Sequence, residues 1–279
     1  MRLEEAMIEA PSYVHGYDRR ETQRLADQAG TLVDLLHHDT SYPPGTTVLE
    51  AGCGVGAQTV ALASRSPGAR FVSMDISAES IAQARQRVDL AGATNVEFCR
   101  ADIFSLPFAP GSFDHVFVCF VLEHLAAPVE ALAGLRSLLR VGGTMTVIEG
   151  DHGSAYFHPD DRAAKEAVRC LIELQRRSGG DALIGRRVFP LMVEAGLHAV
   201  RVDPRMVYVD SSRPELVEGF TKRTFTAMIE GIGSAAISSG LTDADSFDAG
   251  LRGLYRTTEV DGVFCYTFFK GVGEMASDS

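Results

Sequence analysis

Val48-Leu-Glu-Ala-Gly-Cys-Gly-Val-Gly-Ala57 decides how this chain is read. A strand pattern over Thr47–Ala51 runs into Gly52, Gly54 and Gly56, and a helical pattern follows over Ala57–Ser64. Glycines at such a junction let the backbone turn sharply and let a ligand lie against it with no side chain in the way. The spacing is G-x-G-x-G, whereas a nicotinamide-binding loop reads G-x-G-x-x-G. Glu50 stands two residues before the first glycine. A carboxylate there repels a pyrophosphate but tolerates a cationic amino-acid cofactor.

Outward from this loop the pattern alternates. Arg70–Asp75, Val96–Arg100, Phe113–Cys119 and Thr144–Glu149 read as further strands, with a turn at Gly142–Gly143. Helices fit between them: one capped by Ser77 and running through Leu90, another over Val129–Leu139. Strands separated by helices of this length imply βαβ units and a parallel sheet. Asp75 ends the second strand, 19 residues after Gly56. A carboxylate at that point can accept hydrogen bonds from both ribose hydroxyls of a nucleoside. Beyond residue 150, Arg162–Arg177 and Arg186–Ala195 read as helices and His198–Val209 as a strand. Residues 215–258 are mainly helical in pattern, and Asp261–Lys270 is a last strand. Before the core, Leu25, Ala29, Leu32 and Leu36 make one apolar stripe on a helix from Glu21.

The 279 residues, 46% hydrophobic and 23% charged, suit one large α/β domain with insertions. A net charge of −11 with only short basic clusters argues against a nucleic-acid substrate. No apolar run reaches membrane-spanning length, and the acid-bearing N-terminus lacks a signal-peptide pattern, so the protein reads as cytoplasmic. Five cysteines without a C-x-x-C pair imply neither a disulfide framework nor a structural zinc site. No metal is called for.

Taken together, E-A-G-C-G-V-G, S-M-D-I-S, R-A-D-I-F-S-L-P-F, F-D-H-V-F-V-C-F-V-L-E-H-L and L-L-R-V-G-G-T resemble the class I S-adenosylmethionine-dependent methyltransferases. The nearest resemblance is to the ubiquinone/menaquinone C-methyltransferases and related small-molecule enzymes, and it covers about residues 45–150. It implies a Rossmann-like, seven-stranded, mostly parallel sheet, with an N-terminal helical lid over 1–40 and a helical insertion before the last strand. It implies S-adenosyl-L-methionine as cofactor. Gly52, Gly54 and Gly56 would line its methionine part, with Glu50 behind them. Asp75 would hold the ribose and Ile76 the adenine edge. Asp102 would accept from the adenine amino group and Ile103 would lie against the ring. Cys119 and Phe120 would pass the methionine moiety, and Tyr17 of the lid segment would cover it. The Glu123-His124 pair resembles a family feature beside the cofactor.

Glu149-Gly-Asp-His152, read as a polar loop just after the fifth strand, offers Glu149 and His152 as candidate bases. Tyr156, Phe157, Phe189, Tyr208, Phe220 and Phe225 lie in residues 151–260, read as substrate-covering insertions. An aromatic pocket suits a hydrophobic or isoprenoid-type acceptor, methylated at carbon. The alternatives are N- or O-methylation and a non-catalytic cofactor-binding protein. Exchange of the N-terminal segment between identical chains would make a homo-oligomer.

Overall fold

The computed structural model of the protein describes residues 32–276. A short helical stretch, α1 (32–37), leads into β1 (Thr47–Ala51), α2 (Ala57–Arg65), β2 (Arg70–Asp75), α3 (Ala78–Leu90), β3 (Val96–Arg100) and β4 (Phe113–Cys119). A single 3₁₀ turn, Leu122–His124, separates β4 from α4 (Pro128–Ser137), and β5 (Leu139–His158) follows. Then come α5 (Arg162–Arg177), α6 (Val188–Glu194), β6 (His198–Asp210), a helical stretch over Pro214–Arg256 and β7 (Val263–Glu274). Ser77 caps α3 as its sequence suggests, its side chain accepting from the Ser80 N–H.

All seven strands form one sheet in the order β3-β2-β1-β4-β5-β7-β6. β1 to β5 are mutually parallel, and β7 runs antiparallel to both β5 and β6. The seven-stranded, mostly parallel Rossmann-like sheet is therefore as the sequence implies. Its apolar strands are continuous because both faces are covered. Successive side chains go to opposite cores. Val48, Phe117 and Ile148 join Leu36, Leu62 and Leu171 on one side. Leu49, Val116, Val118 and Val147 join Leu132, Leu135 and Leu191 on the other. Among the described residues no helix is long and apolar enough to cross a membrane.

Three readings are corrected. β5 runs on to His158, so Glu149–His152 is strand and not a loop beyond it. The extension persists because β7 pairs with it, Tyr156 opposite Cys265 and Phe157 opposite Phe264, across a register shift after Asp151. Ser154 fills that irregularity, its hydroxyl accepting the Thr267 N–H at 2.9 Å. Consequently residues 151–158, placed among the insertions, belong to the end of β5, while β6 stands where the sequence suggests a strand. The helical insertion before the last strand is present, and part of it, Val217–Thr226, winds as a π-helix. Of the six aromatics, Phe157, Phe220 and Phe225 are core, whereas Tyr156, Phe189 and Tyr208 are exposed.

β1 is flanked by β2 on one side and β4 on the other, so the strand order reverses there. In open α/β sheets the carboxyl edge at such a reversal is where ligands bind. Packing beside it is tight. A Cβ on Gly56 would lie 2.9 Å from both the Cα and Cβ of Ala84, and the residue's φ is +77°. Gly56→Ala should therefore lower unfolding free energy by about 2 kcal/mol through overpacking and backbone strain. Urea denaturation checks this. Stability within a few tenths of wild type would show that α2 and α3 can separate freely.

Candidate active site

The glycine turn is held by backbone donors aimed at β2. Gly52 and Cys53 donate their N–H groups to the Met74 carbonyl at 2.8 and 2.9 Å. Gly54 N–H donates to Asp75 Oδ2 at 2.9 Å, and Ser77 N–H donates to Oδ1 at 2.9 Å. Asp75 thus fastens the turn after β1 to the start of α3. Burial outweighs these donors and raises its carboxyl above the ordinary range.

The three glycines differ in what they permit. A Cβ on Gly52 would overlap Val121 of the loop after β4, so Gly52 lets the two loops meet. Gly56 lets α2 and α3 meet. Only at Gly54, φ +51°, would a Cβ find no atom within 4 Å. The backbone there is open on the side where a ligand can lie. Glu50 is buried, 2% exposed, and its Oε2 accepts from Thr59 (2.7 Å) and Ser73 (2.6 Å) hydroxyls. Its geometry is that of a brace tying β1, β2 and α2 beneath the loop. Burial pushes its carboxyl up to about 7.

At the end of β4, Cys119 is buried and Phe120 adopts φ +57°, a strained conformation for a residue with a Cβ. Strain of this kind survives where neighbours enforce it: Phe120 N–H is held by the Ile148 carbonyl at 2.9 Å, and its ring lies 5.6 Å from that of Phe268. Asp102 accepts from the Phe104 N–H at 2.9 Å, and Ile103 packs half-buried on the second core. Ile76 is also half-buried. Asp75, Ile76, Asp102, Ile103, Cys119 and Phe120 all follow or end parallel strands at the carboxyl edge, together with Gly52, Gly54 and Gly56. Tyr17 and the rest of the lid segment lie outside the described residues, as does most of the helix read from Glu21.

Glu149 is fully buried, and its Oε1 accepts the N–H groups of Val121 (3.0 Å) and Leu122 (2.8 Å). It holds the loop after β4 as Asp75 holds the loop after β1. Burial, with the nearby Glu123 carboxylate, pushes its carboxyl well above the ordinary range. That geometry fits an anchor better than a base. His152, 8% exposed, has Nδ1 3.0 Å from the Tyr266 hydroxyl and Nε2 3.4 Å from Glu123 Oε2. Glu123 also accepts from Gln175 Nε2 at 3.0 Å. Sequence reasoning singled out His152 but not its link to Tyr266, 114 residues away. A buried tyrosine on an apolar strand carries no local signal of such a contact. Among the described residues no three His, Cys, Asp or Glu side chains cluster as a metal site.

The Glu50 geometry sets a pH dependence of stability. Its folded pKa of about 7 lies above the ordinary 4.5. The folded state then binds the proton more tightly, so this contribution is full below pH 4.5 and is lost as pH rises to about 7. Glu50→Gln should remove that slope. Relative to wild type, the variant should gain about 3 kcal/mol between pH 5 and pH 8 in denaturant titrations. A difference that does not change with pH would refute the buried, protonatable carboxyl.

The family described as "Methyltransferase domain" matches residues 43–178. An uncharacterized 37.1 kDa protein in transposon Tn4556 of Streptomyces fradiae is 34% identical over 208 residues, 74% of this chain and 59% of that protein. Demethylmenaquinone methyltransferase of Thermus thermophilus is 34% identical over 102 residues, 37% of this chain and 46% of the enzyme. The chain thus spans roughly half the length of these relatives. Phosphoethanolamine N-methyltransferase 2 of Haemonchus contortus, solved with phosphomonomethylethanolamine and S-adenosylhomocysteine, has a similar fold. Its TM-score is 0.54 at 17% identity, over 90% of this chain and 53% of that one. The chain carries a methyltransferase domain over residues 43–178, of the class I S-adenosylmethionine-dependent kind, and is similar there to ubiquinone/menaquinone methyltransferases.

Proposed function

We propose that the protein transfers the methyl group of S-adenosylmethionine to a small, hydrophobic acceptor of natural-product or isoprenoid type, at carbon. The observation that carries this reading is the open backbone at Gly54 clamped by the Asp75 carboxylate, at the point where the strand order reverses. The bound cofactor supplies an electrophilic methyl on a sulfonium. The protein's own task is to orient the acceptor in line with it and to keep water out, which alone can contribute several kcal/mol.

In this reading Gly52, Gly54 and Gly56 form the turn that receives the methionine portion. Asp75 takes the ribose hydroxyls, since a carboxylate offers lone pairs beyond the two used by Gly54 and Ser77. Ile76 and Ile103 would flank the adenine, and Asp102 would accept from its amino group. Cys119 and strained Phe120 would border the sulfonium. An aromatic wall continues from Phe120 through Phe268 to Tyr266 and Phe220, with successive ring centroids 5.6, 4.8 and 5.9 Å apart. Such a wall suits an apolar acceptor and tolerates transient positive charge. Demethylmenaquinone methyltransferase, by its name, acts on demethylmenaquinone, and a similar protein of Paracoccus denitrificans is by its name a C-methyltransferase, which favours carbon as the site. The reading includes a cytoplasmic protein acting on free small molecules.

Asp75→Ala should weaken S-adenosylhomocysteine binding at least tenfold, about 1.4 kcal/mol or more, because charged hydrogen bonds to the ribose are lost and the turn loses its clamp. Calorimetry measures it. Gly54→Val should abolish binding by filling the open space, and the cooperative unfolding transition should persist at lower stability because a β-branched residue is strained at φ +51°. Normal affinity in both variants would remove the glycine turn as the cofactor bed.

A further inference from the structure

The antiparallel ends of β5, β7 and β6 form a shelf that α6 leaves exposed. Tyr156 and Tyr208 each stand directly across from Cys265, and Met206 stands across from Thr267. Directly opposed residues share a face of a sheet. These side chains therefore line one side of the ribbon, and the Tyr156 hydroxyl lies 3.4 Å from the Met206 sulfur. The alternate residues Phe264 and Tyr266 fill the core on the other side. Toward the start of β6, α6 supplies the helical layer on the shelf side. A Cβ on Gly271 would lie 2.5 Å from the Met192 sulfur and 2.6 Å from Val188 Cγ1. The layer begins beside Arg186, whose Nη2 would lie 2.5 Å from a Cβ on Gly153. Past that point the ribbon runs on to His158, Val263 and Asp210, which stand in one row.

An antiparallel sheet can leave one face to water when that face is polar. This face is not: Tyr156, Met206 and Tyr208 are 42–53% exposed. The helix beside it has the converse feature. Phe189 and Val193, four apart on one side of α6, are about half exposed, while Val188, Leu191 and Met192 fill the core. The shelf thus wants a helix, and the helix presents an apolar side with no sheet against it. The chain enters the fold at α1, whose Leu32 and Leu36 pack on the opposite face, and β7 ends beside Thr144 and His198, away from the shelf. Charge separates along the same direction. At the α6 margin the exposed groups are the guanidiniums of Arg186 and Arg187, both more exposed than the Asp151 and Asp181 carboxylates they pair with. At the far margin, in the turns after His158 and before Val263, Asp160, Glu259 and Asp261 are more exposed than Lys165 and Arg256.

We propose that two copies of this chain associate through this step, about a two-fold axis that lies in the interface and runs across the strands. Such an axis reverses the strand direction. It sets α6 of each copy on the shelf of the other, with Phe189 and Val193 against Tyr156, Met206 and Tyr208. It also brings the cationic margin of each copy to the acidic margin of its partner, whereas an axis along the strands would oppose like charges. The contact is isologous, so every favourable pairing occurs twice. Each aromatic carries roughly 200 Å², so half-exposed Tyr156, Tyr208 and Phe189 place roughly 300 Å² of aromatic surface from each copy at the centre of an interface whose standard size is roughly 800 Å² per partner.

Sedimentation equilibrium over a concentration series tests this. Wild-type protein should show twice the chain mass. Phe189→Glu and Met206→Glu, each at a half-exposed position, should retain the wild-type far-ultraviolet circular dichroism. Each should raise the dimer dissociation constant at least about a hundredfold, because one substitution enters the contact twice. Tyr208→Ser supplies the same reading without a new charge. Leu90→Glu, at the exposed end of α3, should leave the dimer intact. Wild-type protein at the mass of one chain would overturn the proposal. So would a dimer that survives in all three shelf and helix variants, since it would use another surface, or one that Leu90→Glu disrupts equally.

Discussion

The carboxylate of Asp75 is the constraint on which the rest of the site depends. A parallel sheet ends in loops whose N–H groups have no strand partner, and each must be satisfied. Here acids at the strand ends do this work. Asp75 takes the N–H groups of Gly54 and Ser77, Glu149 takes those of Val121 and Leu122, and Asp102 takes that of Phe104. Each anchored loop rises from the carboxyl edge, so the edge is rigid where a ligand would be bound. The same anchoring explains how Phe120 can be kept at positive φ.

Beneath the loops lies a second layer of polar bracing. Glu50 joins β1, β2 and α2 from below through Ser73 and Thr59. Lys270 on β7 and Arg205 on β6 both reach Asp39 just after α1, and Lys270 also donates to Thr40. Their charges hold the Asp39 carboxyl below the ordinary range although burial opposes this. The segment entering the core is thereby fixed to the antiparallel edge of the sheet. Buried pairs of this sort add little net stability, but removing one partner is costly. They specify where the entering chain sits.

The parallel half of the fold was legible because its signals are local. β1 to β4 and α5 have the bounds that apolar runs, Ser77 and the glycines suggest. The length of β5 was not legible, because residues 150–158 are strand only by pairing with β7, more than 100 positions away in the chain. The π-helix over Val217–Thr226 was likewise hidden: its polar and aromatic residues satisfy an ordinary helical pattern, and its Phe220 and Phe225 pack on Tyr266 and Phe264, far along the chain. The glycine motif was legible as a site but not in its parts. Gly52 and Gly56 answer to Val121 and Ala84, partners that no local pattern announces.

The central claim is that the carboxyl edge of β1, β2 and β4 receives S-adenosylmethionine. Hydrogen exchange followed by mass spectrometry, with and without S-adenosylhomocysteine, tests it most directly. The account predicts slowed exchange in peptides covering residues 51–56, 75–78 and 119–124, with β6 unchanged. Protection confined to β6 and β7, or no protection at saturating ligand, would contradict it.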